Sequence, residues 1–189
     1  MEFTFNDIEG WFSEADANFV SEIVRKIKNG TMAEVGLFKG KSSAIMMPIA
    51  INNNTQYYAV DNFYGGIDAS TPASKIQRTQ GDEVMKEFIA NMKKLGVNRP
   101  DYMLWKLDSV SAALTFPNDS LDFVFIDADH AYESVKKDLE VWYNKIKPLG
   151  IIGGHDYNNP GVKMAVDEFC QTKKLSMSNG GNCFSMVKN

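Results

Sequence analysis

One rhythm constrains this chain more than any other feature. Short runs of consecutive apolar residues alternate with stretches whose apolar residues recur every three or four positions. The runs are Met32–Phe38, Tyr57–Asp61, Tyr102–Leu107, Leu121–Ala128 and Ile151–Gly154. A segment that is apolar on successive positions is covered on both faces, as the strands of a parallel sheet are. The stretches between them read as helices. In Tyr132–Ile146, the residues Tyr132, Val135, Leu139, Trp142 and Ile146 share one face, opposite Lys136, Lys137, Asp138 and Glu140. Val162, Ala165, Val166 and Phe169 mark another helix. Near the end, Leu175–Ser178 and Cys183–Val187 flank Asn179-Gly180-Gly181-Asn182, a hairpin signal. Alternation closing in a hairpin predicts an α/β fold. Its open seven-stranded sheet is mostly parallel, with a C-terminal antiparallel hairpin and helices on both faces.

Ahead of the first run, Ile8, Trp11, Phe12, Ala15, Phe19, Ile23 and Ile27 keep helical spacing, and Asn29-Gly30 is a helix stop, so the first 28 residues read as helix. Pro48 is expected to kink or shorten the helix after the first strand. Residues 62–82 carry several turn-formers and read as a long functional loop, in which Phe63 and Tyr64, with Trp11 and Phe12, are candidates to cover a site. At 189 residues the chain is expected to be a single domain, 1–189, made of an N-terminal helical segment (1–30) and an α/β core (31–189). Its 20 Lys+Arg against 24 Asp+Glu, a net charge of −4, argue against a nucleic-acid or anionic-membrane binder. Two cysteines are too few for a disulfide framework. With no apolar run long enough to span a membrane and no signal-peptide order after Met1, the expected location is cytoplasmic.

In sheets of this kind ligands bind beyond the carboxyl ends of the strands. The residues there are Gly36–Ser43, Asp61–Gly66, Asp108–Ser109, Asp127–His130 and His155–Tyr157. Four of these five patches carry an Asp, and the other begins just after Glu34. The first patch is not the dinucleotide fingerprint G-x-G-x-x-G, because position 38 is Phe, nor is it a P-loop, because Gly36 precedes Gly40-Lys41 by only four positions. Asp61, about 20 residues beyond the glycine loop, is placed to accept hydrogen bonds from both hydroxyls of a ribose. Loop and acid together indicate an adenosine-containing ligand.

Glu34-x-Gly36-x-x-x-Gly40-x-Ser42 followed by Val60-Asp61 resembles the first two motifs of class I S-adenosylmethionine-dependent methyltransferases. The aromatic at 38 is similar to the small O-methyltransferases of the catechol and caffeoyl-CoA type. Phe125-Ile126-Asp127-Ala128-Asp129-His130-x-Tyr132, Asp138-Leu139, Trp142, Leu149-Gly150, His155-Asp156-Tyr157 and Gly161-Val162 resemble the methyltransferase-24 group. The likeness runs from about Met32 to Phe169. It implies a Rossmann-like enzyme that binds S-adenosylmethionine and methylates a small molecule, and a homodimer is compatible with it.

By that resemblance Gly36 and Gly40 pass the methionine part of the cofactor, with Phe38 and Ser42 beside it and Glu34 ordering the loop. Asp61, with Asn62 next to it, takes the ribose, and Asp108-Ser109 stands near the adenine amino group. Asp127 and Asp156 end neighbouring strands, where two carboxylates repel unless a cation lies between them. Oxygen ligands of this kind suit magnesium, with Asp129 or the acceptor as a third ligand. The catechol-type enzymes have Asp-Asn at the fifth strand, whereas this chain has His155-Asp156. The only two histidines fall in these motifs: His155 is the expected general base and His130 the second candidate. An alcohol or phenol must lose its proton to attack, so this inventory favours an oxygen acceptor. The rival readings are a metal-independent N- or C-methyltransferase of the same fold, a nicotinamide dehydrogenase, which the missing glycine fingerprint opposes, and a non-catalytic cofactor-binding protein.

Overall fold

The computed structural model describes residues 3–189. Its elements in chain order are α1 (Glu14–Val24), β1 (Thr31–Val35), α2 (Ser43–Asn52), β2 (Gln56–Val60), α3 (Pro72–Lys94), β3 (Met103–Trp105), α4 (Ser109–Thr115), β4 (Leu121–Ile126), α5 (Tyr132–Tyr143), β5 (Ile146–Gly154), α6 (Pro160–Lys173), β6 (Met177–Gly180) and β7 (Cys183–Val187). The seven strands form one sheet in the order β3-β2-β1-β4-β5-β7-β6. β1 to β5 are mutually parallel, and β7 runs antiparallel to both β5 and β6. The chain is therefore the Rossmann-like α/β fold that its rhythm predicts.

Each central strand is buried on both faces. Met32, Phe123 and Phe125 pack toward α1, α2 and α3, while Ala33, Val35, Val124 and Ile126 pack toward α4, α5 and α6. Register then aligns the strand ends. Val35 stands opposite Val60 on one side and Ile126 on the other, and Ile126 stands opposite Gly154. The next residues, Gly36, Asp61, Asp127 and His155, therefore form one row at the carboxyl edge.

Three local expectations need correction. The N-terminal helix begins only at Glu14, after a 3-10 turn at Phe5–Asp7, and ends at Val24. Ser13 is its N-cap: the Ser13 N–H donates to the Asp16 carboxylate at 2.8 Å, and the Asp16 N–H donates to the Ser13 hydroxyl. Ile8 and Phe12 are buried all the same, so their spacing recorded burial rather than helix. Met1 and Glu2 lie outside the described residues. α2 runs through Pro48 to Asn52, because Met46, Met47 and Ala50 are fully buried against the sheet and that packing outweighs one lost backbone hydrogen bond. The loop expected over 62–82 ends at Thr71. Thr71 caps α3, Pro72 opens it, and Val84, Phe88 and Met92 form its buried stripe. Its only irregularity is a kink at Gln80. No helix among the described residues is long and apolar enough to cross a membrane.

Candidate active site

The row of strand ends borders a cleft of about 610 Å³, within the usual range for small-molecule sites. Its walls come from the β1–α2 loop, the segment after β2, the start of α4, the β4–α5 and β5–α6 turns, and Gly10-Trp11-Phe12 from the N-terminal segment. Of the residues singled out from the sequence, Gly36, Phe38, Ser42, Asp61, Asn62, Asp108, Ser109, Asp127, Asp129, His130, His155 and Asp156 border it. Glu34 and Gly40 do not.

On the β1 side the motif residues serve the fold. Glu34 is fully buried and accepts hydrogen bonds from the hydroxyls of Ser42, Ser43 and Tyr57. Burial pushes its carboxyl up to about 7 against the opposing pull of those donors. Gly36 and Gly40 both have positive φ, +88° and +91°. A β-carbon at Gly36 would stand 1.9 Å from the Asp127 carbonyl oxygen, and one at Gly40 would stand 2.7 Å from Met92 Cε. Both glycines are thus required by chain packing. Phe38, also at positive φ (+47°), turns its ring to Trp11, with centroids 5.8 Å apart.

Asp61 reaches the cleft, but its carboxylate is already engaged. The N–H groups of Leu37, Phe38 and Phe63 donate to it at 2.8, 3.1 and 2.6 Å, and Gln77 Nε2 lies 3.2 Å away. Burial raises its pKa even so. Asp108 caps α4 by accepting the Ser111 N–H, and the Ser109 hydroxyl donates to Asp138 and accepts from Trp142 Nε1.

The β4 and β5 tips differ. Asp127 is about one-fifth exposed, and its carboxylate accepts no hydrogen bond from the described residues. Ligand atoms of Asp127, His130 and Asp156 all lie within 4.8 Å of one another. Asp156 is held at φ +58°, a costly conformation for a residue with a β-carbon. His130 Nε2 donates to Asp156 Oδ2 at 2.8 Å. That bond raises the His130 pKa although burial opposes it. For Asp156, burial is outweighed by the His130 and His155 contacts, which hold its carboxyl below the ordinary range.

Two sequence assignments shift here. Asp129 stands outside the cluster, because its carboxylate accepts the N–H groups of Ile67, Asp68, His130 and Ala131 and the Ser134 hydroxyl. It ties the segment after β2 to the start of α5. His155, expected as the base, has a side chain only 4% exposed, against 21% for His130. Its Nδ1 lies 3.4 Å from Asp156 and 3.7 Å from Asp127, its Nε2 lies 3.4 Å from Asp16, and the Phe12 ring is 5.0 Å away. Burial alone would lower its pKa, but Asp127 and Asp156 lift it to about 11. Of the two imidazoles, His130 is therefore the one more open to the cleft.

Several cleft residues had no assigned role from the sequence: Gln77 and Arg78 on α3, Gly65-Gly66-Ile67, and Asp138 on α5. Only Asp138 was in a quoted motif. Its carboxyl is pushed up to about 6 by burial. The α3 residues carried no signal beyond amphipathic spacing.

Comparison with solved structures places this geometry. The O-methyltransferase NovP superposes with a TM-score of 0.66 at 18% identity, over 92% of this chain and 80% of NovP. Cofactor-bound Rv0187 from MTB gives 0.68 at 12% identity, over 95% and 83%. A SAM-dependent O-methyltransferase from Thermotoga maritima gives 0.63 at 10%, over 92% and 64%. At such identities the likeness is one of fold, the fold of class I methyltransferases. The family model described as a methyltransferase domain, methyltransferase-24, matches residues 33–157. The chain belongs to that family and is an S-adenosylmethionine-dependent methyltransferase. A sequence comparison with curated proteins finds no match.

Proposed function

We propose that this methyltransferase acts on a hydroxyl oxygen of a small-molecule acceptor, with a divalent cation, magnesium by its donor set, held by Asp127 and Asp156. The observation that carries the proposal is the Asp127–His130–Asp156 cluster on the cleft wall. The donors fit such an ion: the Asp127 and Asp156 carboxylates lie within ligand reach of each other, and Asp127 has no hydrogen bond from the described residues to give up. Hard oxygen donors with room for water favour Mg²⁺. Bound there, the ion would lower the pKa of an acceptor hydroxyl.

The chain's own residues supply the rest. Methyl transfer is an in-line displacement at a sulfonium, so alignment is the main task. Gly36, Leu37, Phe38 and Ser42 form the edge against which the cofactor lies. Asp61 takes the ribose hydroxyls by exchanging its longest contact, that with Gln77, while Asn62 flanks the sugar. Asp108 and Ser109 border the adenine. His130 is the base: its Nε2–H is given to Asp156, which leaves Nδ1 to receive the acceptor's proton, and Asp156 then stabilises the imidazolium. His155 braces Asp127 and Asp156 from below.

Calorimetric titration of Mg²⁺ into the protein with bound S-adenosylhomocysteine tests the metal site. The wild type is expected to bind the ion, and Asp127→Asn and Asp156→Asn to lose it. No ion binding by the wild type, or undiminished turnover in EDTA, overturns the metal-assisted reading in favour of metal-independent N- or C-methyl transfer.

A further inference from the structure

S-Adenosylmethionine ends in an amino acid whose α-carboxylate is an anion, and this cleft is rich in acids. The basic side chains on its walls are Lys41, Arg78, His130, Lys137 and His155. Arg78 donates to the Gly66 carbonyl at 2.7 Å. His130 is bonded to Asp156, and His155 lies among three carboxylates. Lys137, like Lys41, has no carboxylate of the described residues within 4.0 Å, but it stands exposed on α5.

Lys41 is different. It is half-buried at the cleft wall, just ahead of α2. Its neighbour Lys39 is held between Glu9 and Glu87 at 2.8 Å each, whereas no carboxylate of the described residues lies within 4.0 Å of the Lys41 ammonium. The Lys41 stem lies flat on Gly10. A β-carbon at Gly10 would stand 3.2 Å from Lys41 Cβ and 3.4 Å from its Cδ, and Gly10 has φ +152°, which L-residues rarely adopt. The N-terminal segment and the β1–α2 loop thus hold the Lys41 stem at the cleft wall, with no carboxylate of the described residues beside its ammonium.

We infer that Lys41 receives the α-carboxylate of the cofactor's amino-acid end through a charge-assisted hydrogen bond, which the N-terminus of α2 reinforces. The inference rests on the cofactor reading above. It assigns the glycine loop a recognition role that its two glycines do not perform, and it makes Gly10 the residue that lets the Lys41 stem lie there.

Titration of the wild type, Lys41→Met and Lys41→Arg with S-adenosylhomocysteine and with 5′-methylthioadenosine tests it. The second ligand keeps adenosine and sulfur and lacks the amino acid. Lys41→Met is expected to weaken S-adenosylhomocysteine about 10- to 100-fold, as the loss of one charged hydrogen bond does. It should leave 5′-methylthioadenosine unchanged within about twofold, and Lys41→Arg should recover most of the loss. Equal weakening of both ligands means a general disturbance of the loop and overturns the inference. So does unchanged binding of both, which leaves Lys41 available to an acceptor anion instead. A wild type that fails to bind S-adenosylhomocysteine overturns the cofactor reading itself, whereas wild-type binding that is indifferent to Lys41 overturns this inference alone.

Discussion

The tip of β1 and the tips of β4 and β5 stand side by side at the carboxyl edge of the sheet, and they use their polar residues in opposite ways. At β1 the motif is turned inward. Glu34 holds Ser42, Ser43 and Tyr57, Gly36 makes room for the Asp127 backbone, and Gly40 makes room for α3. At β4 and β5 the side chains are turned to the cleft, and the Asp127 carboxylate accepts no hydrogen bond from the described residues. The contrast teaches that a motif at a binding edge can be required for two separate reasons, one tip shaping the cleft and the other supplying the chemistry. Substitutions should therefore separate into those that abolish activity in a folded protein and those that unfold it.

Asp127→Asn should show the largest effect. Methyl transfer is expected to fall about 10³-fold through loss of the activated acceptor. The melting temperature should fall by no more than about 5 °C, since the Asp127 carboxylate accepts no hydrogen bond from the described residues and the loss is confined to its 3.7 Å contact with His155, which Asp156 still faces. Initial rates and thermal melts on one preparation measure both, and a collapse of the melt would erase the contrast between the tips. Gly36→Ala is the converse case. A β-carbon 1.9 Å from a carbonyl oxygen, at φ +88°, should cost about 4 kcal/mol. Urea unfolding should show it, along with a melting temperature lower by roughly 10 °C or more.

The third effect is a pH dependence. The Glu34 carboxyl, at about 7 in the folded protein against 4.5 when unperturbed, binds its proton more tightly when folded. Its contribution is therefore fully present below pH 4.5 and is lost as pH rises through 7, a decline on the order of 3 kcal/mol. Glu34→Gln, which keeps an acceptor for the surrounding hydroxyls, should flatten that decline in unfolding free energies measured from pH 4.5 to 8. An unchanged slope would show that Glu34 is not the group responsible. The smallest effect belongs to Asp129→Asn. Losing the charge that gathers the Ile67 and Asp68 amides should loosen the segment after β2 by about 1 kcal/mol. Hydrogen exchange at those two amides should then accelerate several-fold, while the core strands stay protected.

The sheet was legible before any coordinates because its signal is local. A strand covered on both faces is apolar on successive positions, as at Met32-Ala33 in β1, Tyr57–Val60 in β2, Phe123–Ile126 in β4 and Ile151-Ile152 in β5. Parallel register then brings Gly36, Asp61, Asp127 and His155 into one row, so the place of the cleft follows from strand order. The first half of α3, residues 72–82, reads as loop in the sequence because it carries few apolar residues, and the helical stripe becomes evident only at Val84, Phe88 and Met92. The N-terminal segment was misread in the opposite direction, since burial of Ile8 and Phe12 imitates helical spacing.

By itself, then, the sequence determines the alternation of elements, the edge where ligands bind and the types of residue that gather there. The tertiary structure alone decides which of those residues are free to react. His130 and His155 are equally good bases as letters in a chain. One opens to the cleft and the other is enclosed by Asp16, Asp127, Asp156 and Phe12, and Asp16 lies far from them in sequence. Asp127 and Asp129 look interchangeable as ligands until the loop after β2 folds back and fills one carboxylate with amides. The physical reason is the same in each case. Secondary structure answers to the periodicity of near neighbours, whereas the reactivity of a carboxylate or an imidazole depends on solvent access and on donors that arrive from distant parts of the chain.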